Sequence, residues 1–318
     1  MELQNSSNEL ALPISYGEEL TVEQKEEISG LKSTISIHDI GKVAAFGREE
    51  QATIKKLSDY LLGEVGAKEV TDANELLSKA IQRIKEYSES CTEKGFWAIF
   101  KNKESKLQKL QAKYASLQIS VDSIVKELQK QDIALCQIVR DFEAVYNENY
   151  ATYQYLTMVI FAGEEALNEE KKRVEEVRQR GKNSSDLMAN QKIVDLEDDI
   201  SKFERRLYDL KLSRTIAIQQ AAQIRVIQKN ANAISESIRA TIFNAIPLWK
   251  SQMAIALGLE KVQANVESIN SVNERLIDSL SGTSNLAKDA IQSRKEGVSE
   301  LQENEAKLKQ EIRELTTQ

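Results

Sequence analysis

The chain has 318 residues with a formal net charge of −7; 29% of its residues are charged and 6% are aromatic. The negative charge argues against nucleic acid as a partner, because phosphate backbones would repel the chain as a whole. Its two prolines, Pro13 and Pro247, leave residues 14–246 without the residue that helix interiors tolerate least. The composition therefore predicts an all-α protein built from long helices.

The expected compartment follows from two features of the sequence. Cys91 and Cys136 form no CxxC pair, so neither a disulfide scaffold nor a cysteine metal cluster is predicted. The first residues lack the basic and apolar segments of a secretory signal, and no apolar run approaches the ~20 residues of a membrane span. We expect a cytoplasmic protein, with peripheral contact to the inner face of the membrane as the closest approach to lipid.

The first elements are predicted from capping signals. Residues 1–17 lack periodicity and are expected to form a disordered or loose tail. Thr21 and Gln24 form a capping box that opens a short helix to about Ser33. Asp39 should cap a second helix, which would continue without interruption to Gly63 or Gly66.

The next two helices are predicted from capping and periodicity together. Asp72 and Glu75 repeat the capping pattern and predict the start of a helix that fades near Cys91. From Ser105 onward, apolar residues recur at steps of three and four, which predicts a long amphipathic helix as far as Ala162.

Glycines mark candidate breaks in the rest of the chain. Gly163 precedes a charged, solvent-exposed helix, and Gly181 opens a turn before another long helix from Asp186. Gly282 is predicted to separate a last helix, 283–317, which could protrude. Helices this long need partners along their length, so residues 18–318 are expected to fold into one elongated antiparallel helical bundle or coiled coil.

No catalytic residue, metal site or cofactor is predicted. The single histidine, His38, precedes a helix and is interpreted as a turn or cap residue. The glycines of Gly41–Gly47 lack the Lys-Ser/Thr pair of a phosphate-binding loop. The protein is therefore expected not to be an enzyme.

One candidate contact segment combines aromatic and basic side chains. It consists of Phe96, Trp97, Phe100, Lys101 and Lys103, at the start of a stretch, 94–130, with eight lysines and three acidic residues. Such a segment can bind an anionic membrane surface or a protein partner. Alternatively, the aromatic rings close the end of the bundle.

Two further candidates lie in the second half of the chain. Polar side chains at helical spacing, Gln219, Gln223, Arg225, Gln228 and Asn232, predict either interhelical hydrogen bonds that fix register or a polar binding or self-association face.

Pro247 is predicted to bend a helix, or to restart one at its first position, so that Trp249 turns into the core.

These regions resemble one known family. The runs 195–207, 223–228, 246–252 and 255–259, together with shorter motifs at 95–100 and 162–165, are similar to the toxic-anion (tellurite) resistance family of the TelA/KlaA type. The resemblance covers about residues 35–285 and implies a helical cytoplasmic protein associated with tolerance of tellurite and, in some relatives, of envelope antimicrobials. Ala222 stands where the family is expected to have proline, so a kink there is replaced by straight helix.

Three functions are compatible with this sequence. The first is a non-enzymatic stress-resistance scaffold that binds a protein partner or the inner membrane surface, with self-association as a variant. The second is thiol-dependent detoxification of tellurite through Cys91 or Cys136. The third and most remote is a helical pore-forming toxin.

Overall fold

The computed structural model describes residues 21–63, 67–92, 103–181, 187–258 and 266–317. The described residues form eight α-helices and no strand, which confirms the all-α prediction. The helices are α1 Val22–Thr34, α2 Ile40–Ala45, α3 Arg48–Leu62, α4 Ala67–Thr92, α5 Lys103–Gly181, α6 Leu187–Ala240, α7 Ile246–Gly258 and α8 Val266–Thr317. A π-helical segment, Thr241–Ala245, joins α6 to α7. The predicted tail, 1–17, lies outside the described residues.

The chain divides into two compact units, each assembled from separate stretches of sequence. The first unit contains the described residues of 1–60, 146–221 and 301–318, and the second contains those of 61–145 and 222–300. Helices α5, α6 and α8 therefore each contribute residues to both units. The single bundle expected for residues 18–318 stays a prediction.

Helices α5 and α6 run antiparallel within each unit. In the first unit, the Lys211 ammonium lies 2.6 Å from Glu164, and Arg178 lies 3.4 Å from Glu197. Partner numbers thus rise on one helix as they fall on the other, which is the signature of antiparallel packing. The same order holds in the second unit, where Glu143 pairs with Arg225 and Asp132 pairs with Arg239. The predicted helical bundle is therefore confirmed.

The core of the first unit forms where α5 and α6 meet the segment around α2. Phe46 packs its ring against Phe203, with ring centroids 5.5 Å apart. The buried apolar side chains around this pair are Ile37, Val43, Leu156, Val159, Ile160, Leu167, Val174, Ile200, Leu207 and Leu210.

The predicted capping signals have mixed outcomes. Thr21 and Gln24 form the reciprocal capping box, with backbone-to-side-chain distances of 3.2 and 3.0 Å, and Asp39 accepts from the Gly41 and Lys42 N–H groups. The prediction that Asp72 opens α4 is wrong, because that helix begins at Ala67. Val70 is buried upstream of Asp72, so the apolar face extends one turn further than the capping pattern indicates.

The second predicted helix is wrong as a single element, because the chain turns at Gly47. This residue has φ +65°, a conformation that residues with a side chain rarely adopt. A Cβ atom there would lie 2.6 Å from the Leu210 Cδ2 atom. Helix α2 therefore ends at Ala45, and α3 begins at Arg48.

The predicted breaks at Gly163 and Gly282 are also wrong, because both residues lie inside helices, α5 and α8. Gly163 is buried where α5 packs on Leu207 and on the ring of Phe46, so its missing side chain allows close approach. Gly282 is exposed, and a Cβ atom there would have no neighbour within 4 Å.

Candidate functional site: polar interhelical contacts of the second unit

The polar residues predicted on α6 meet α5 in the second unit. Arg225 donates to the Glu143 carboxylate at 2.5 Å, and Gln228, which is 6% exposed, donates to Glu143 at 2.9 Å and to the Val139 carbonyl oxygen at 3.0 Å. Arg225 also donates to the Gln228 side-chain oxygen at 2.8 Å. The three side chains form one connected network, so they fix the register of the two helices.

These hydrogen bonds hold the pKa of Glu143 below its ordinary value of 4.5, first through Arg225 and then through Gln228. A carboxylate with a lowered folded-state pKa stabilises the fold above its unfolded-state pKa, and this contribution is lost as the pH falls through the lower folded-state value. The network therefore favours the folded state at neutral pH and weakens in acid.

Replacing Glu143 by glutamine should lower the free energy of unfolding at pH 7 by about 0.5–1 kcal/mol, since the ion pair is half exposed and screened by solvent. Urea unfolding at pH 7 and at about pH 3 would measure the difference. The deficit should shrink as the pH falls, because protonation of Glu143 weakens the same ion pair in the unmodified chain. A deficit that is equal at both pH values would contradict the assignment.

A second network lies two turns further along α6. Arg239 donates to the Asp132 carboxylate at 2.9 Å and to the Cys136 sulfur at 2.8 Å. The Ser235 hydroxyl donates to the same aspartate. Asp132 thus holds two α6 side chains, and the half-exposed Cys136 lies beside a cation.

The other cysteine has a different environment. Cys91 is fully buried at the end of α4, and this burial raises the pKa of its thiol. The neutral thiol is therefore favoured, which makes Cys91 a poor nucleophile.

Trp249 lies in the core of the second unit, 2% exposed, as Met253 and Leu257 do on the same face of α7. Its indole N–H donates to the Asn273 side-chain oxygen at 2.9 Å, and Asn273 in turn donates to Ser88 at 2.9 Å. A buried chain of hydrogen bonds thereby links α7, α8 and α4.

Pro247 lies on the exposed face immediately after the π-helical segment. The Ile246 N–H bonds the Thr241 carbonyl oxygen five residues back, and both ends of the segment keep right-handed helical dihedrals. Since proline lacks the N–H that would bond residue 243, the wider π turn accommodates it without ending the helix.

The remaining predicted residues are dispersed. Gln219 belongs to the first unit, Asn232 is exposed, and the Gln223 amide occupies the space beside Gly297. Phe96, Trp97, Phe100 and Lys101 lie outside the described residues. Lys103 is the first residue of α5.

Several buried polar residues were not singled out from the sequence as site residues. Gln220, fully buried in the first unit, donates to the Ile54 carbonyl oxygen at 3.0 Å, and Asn149 donates to the Ala217 carbonyl oxygen at 2.8 Å. Ser213, Gln220, Gln228 and Ser235 recur at steps of seven or eight, so a heptad count would have placed them on one buried stripe.

His38 lies in a turn, as predicted, and also bridges two carboxylates of the first unit. Its Nε2 atom is 3.1 Å from Glu170 and its Nδ1 atom is 3.2 Å from Asp199. The imidazole thereby ties the segment before α2 to both long helices.

Within the part of the chain that the structure describes, no three His, Cys, Asp or Glu side chains are arranged to hold a metal ion. None of the described helices combines the length and the apolar character needed to cross a membrane.

The fold and these contacts place the chain in a class of all-α proteins: bundles of long helices in which polar side chains form hydrogen bonds between helices. Residues 28–275 match the family described as toxic anion resistance protein (TelA), and the chain belongs to this family. This confirms the resemblance seen in the sequence. No solved structure matches the chain.

Its relatives include TelA-like proteins of Staphylococcus aureus. Those of strains MSSA476 and MW2 are each 31% identical over 288 residues, covering 89% of this chain and 76% of the relative. That of strain bovine RF122 / ET3-1 is 30% identical over the same lengths.

Proposed function

We propose that this protein is a non-enzymatic, cytoplasmic stress-resistance protein that supports tolerance of tellurite. In this proposal the helical scaffold acts by binding, either to a protein partner or to the inner surface of the membrane. Membership of the TelA family supports the link to tellurite.

The observation that supports the scaffold role is that polar residues of the family-like runs form hydrogen bonds between helices. Arg225 and Gln228, which lie in one of the runs that resemble the family, are held by Glu143 across the helix interface. Trp249 of another such run is held by Asn273. Side chains committed to helix packing position surfaces for binding; they are not available to transform an oxyanion.

Thiol-dependent detoxification is the second candidate, and one contact favours it. Cys136 is only partly buried, and the Arg239 guanidinium lies 2.8 Å from its sulfur, so a thiol and a cation lie side by side. Reduction of tellurite by thiols would require at least one reactive cysteine. The two candidates therefore differ in what the cysteines contribute.

A strain lacking this protein, complemented with the Cys91→Ala/Cys136→Ser variant, should grow in tellurite as well as one complemented with the unmodified chain. Alanine is chosen at position 91 because that site is fully buried. The minimum inhibitory concentration of tellurite would be measured at matched protein levels. Loss of resistance at normal abundance would favour thiol chemistry and overturn the scaffold proposal.

A further inference from the structure

His38 is the only histidine in the sequence, and the fold places its ring against both long helices of the first unit. The Nε2 atom lies 3.1 Å from the Glu170 carboxylate on α5, and the Nδ1 atom lies 3.2 Å from the Asp199 carboxylate on α6. An ionised carboxylate can only accept hydrogen bonds. Each ring nitrogen therefore faces an acceptor.

The two contacts together require a protonated ring. Neutral imidazole has one N–H group and one bare nitrogen, whereas imidazolium has an N–H group on each nitrogen. In the neutral form, the nitrogen without a proton would direct its lone pair at a carboxylate oxygen. The bridge between the two helices is therefore complete only when His38 carries a positive charge.

The carboxylates that His38 meets are themselves paired with cations. Glu170, whose side chain is 11% exposed, lies 3.2 Å from Arg173. Asp199, whose side chain is 22% exposed, lies 3.5 Å from Lys202. These neighbouring cations favour the ionised carboxylates, so both remain acceptors for the imidazole.

Other charged side chains surround the ring on every element that packs near it. They are Lys32 of α1, Asp39 and Lys42 at the start of α2, Glu169 and Arg173 of α5, and Asp198 and Lys202 of α6. Carboxylates, lysines and arginines ordinarily keep their charge between about pH 5.5 and 8.5, whereas imidazole loses its proton in that range. His38 is therefore the group in this cluster whose charge changes near neutral pH.

The segment that carries His38, residues 35–46, covers apolar side chains of both long helices. Ile37 and Val43 are 8% and 9% exposed, and they pack against one apolar cluster of α5 and α6. The buried members of that cluster on the two helices are Leu167, Val174, Ile200, Phe203 and Leu207. Release of the segment would expose this surface to water.

Polar contacts also fasten the chain on each side of His38. Upstream, the Lys32 ammonium lies 2.5 Å from the Glu169 carboxylate. Downstream, the Arg206 Nε–H group donates to the Phe46 carbonyl oxygen at 2.8 Å. These contacts keep their charges near neutral pH, so a change at His38 would open the segment locally and leave its ends attached.

We propose that His38 is a pH-sensitive latch that holds residues 35–46 over the apolar surface of α5 and α6. At about pH 6 the imidazolium joins both helices, and as the pH rises toward 8 the ring loses a proton and one of its two hydrogen bonds. The stabilisation is thus present at the lower pH and lost as the pH rises, the reverse of the contribution from Glu143. This inference does not depend on the function proposed above.

The test is amide hydrogen exchange of peptides that span residues 35–46, measured by mass spectrometry at about pH 6 and 8. Each rate is divided by the intrinsic exchange rate at that pH, which gives a protection factor. In the unmodified chain the protection factor should fall about threefold to tenfold between the two pH values, the range expected when partly exposed ionic hydrogen bonds are lost. Peptides from α7 in the second unit should show no such change.

Two variants bracket the unmodified chain. His38→Gln removes the charge, so residues 35–46 should have the lower protection at both pH values. His38→Arg keeps a positive charge and presents N–H groups on several nitrogens, so protection should stay high at both. Circular dichroism of each variant would verify folding.

Protection that is the same at both pH values in the unmodified chain would overturn the proposal. An equal pH response in the His38→Gln variant would also overturn it, because another group would then be responsible. NMR of the single imidazole gives a test that needs no variant: both ring nitrogens should carry protons at about pH 6, and loss of one proton should accompany the loss of protection. Proton loss without any change in protection would show that the ring does not hold the segment.

Discussion

Replacing Trp249 by alanine should lower the free energy of unfolding by about 3–5 kcal/mol, the largest effect expected of any single substitution proposed for this chain. The indole is 2% exposed, and its ring packs against Tyr114 with centroids 5.6 Å apart. Truncation would leave a cavity and remove the N–H that Asn273 accepts. Urea unfolding followed by circular dichroism at 222 nm would measure the loss.

Trp249→Phe separates the two contributions. Phenylalanine retains most of the buried aromatic surface but leaves the Asn273 oxygen without its donor, at a cost of about 1–3 kcal/mol. We therefore expect the phenylalanine variant to lie between the unmodified chain and the alanine variant. If both substitutions cost less than about 1 kcal/mol, Trp249 would not be a core residue, and the assigned packing of α7 on α4 and α8 would be wrong.

Two glycines should respond to the same substitution with opposite signs. Gly163→Ala should destabilise the protein by about 1–2 kcal/mol, because the added methyl would meet Leu207 and lie 3.0 Å from a ring carbon of Phe46. That figure includes the helix propensity gained on leaving glycine, about 1 kcal/mol.

Gly282→Ala is the matched control, because Gly282 lies inside α8 and an added methyl there meets nothing within 4 Å. It should stabilise the protein by about 0.5–1 kcal/mol. Chemical denaturation of the two variants in parallel would measure both effects. Stabilisation by both substitutions would show that the α5 backbone does not approach Leu207 as closely as described.

Helix content and class were predictable from the sequence because they depend on local properties. The absence of proline from 14–246 and the apolar period of three and four indicate long helices wherever those helices pack. The capping box at Thr21 and the cap at Asp39 were also predictable, since a cap involves only neighbouring residues. Family membership followed from the same local motifs.

Breaks between helices were less predictable, because glycine has more than one use. Gly47 permits a left-handed turn, Gly163 permits close helix packing, and Gly282 lies on the exposed face of a continuous helix. The residue type is the same in all three cases. What differs is the neighbouring side chain: Leu210 beside Gly47, Leu207 beside Gly163, and none within 4 Å of Gly282. Both leucines are far from their glycine in the sequence.

The candidate polar site was also predictable only in part. The amides and Arg225 on α6 were visible as a pattern, and the alternatives of packing or binding remained open. Only the structure pairs Arg225 and Gln228 with Glu143, and Trp249 with Asn273. Asn273 was not singled out from the sequence, although it occupies a heptad position between Ile269 and Leu276, where a polar residue among apolar ones indicates an interhelical contact.

The sequence by itself determined that this chain is helical, that it carries capped helices near its start, and that it resembles the TelA family, because each of these depends on neighbouring residues. The tertiary structure decided which polar residues are committed to packing and which carboxylates His38 meets. Those outcomes depend on contacts between residues 24 to 161 positions apart, such as Trp249 with Asn273 and His38 with Asp199. Local periodicity marks a face as apolar or polar, but only the arrangement of the helices determines what covers it.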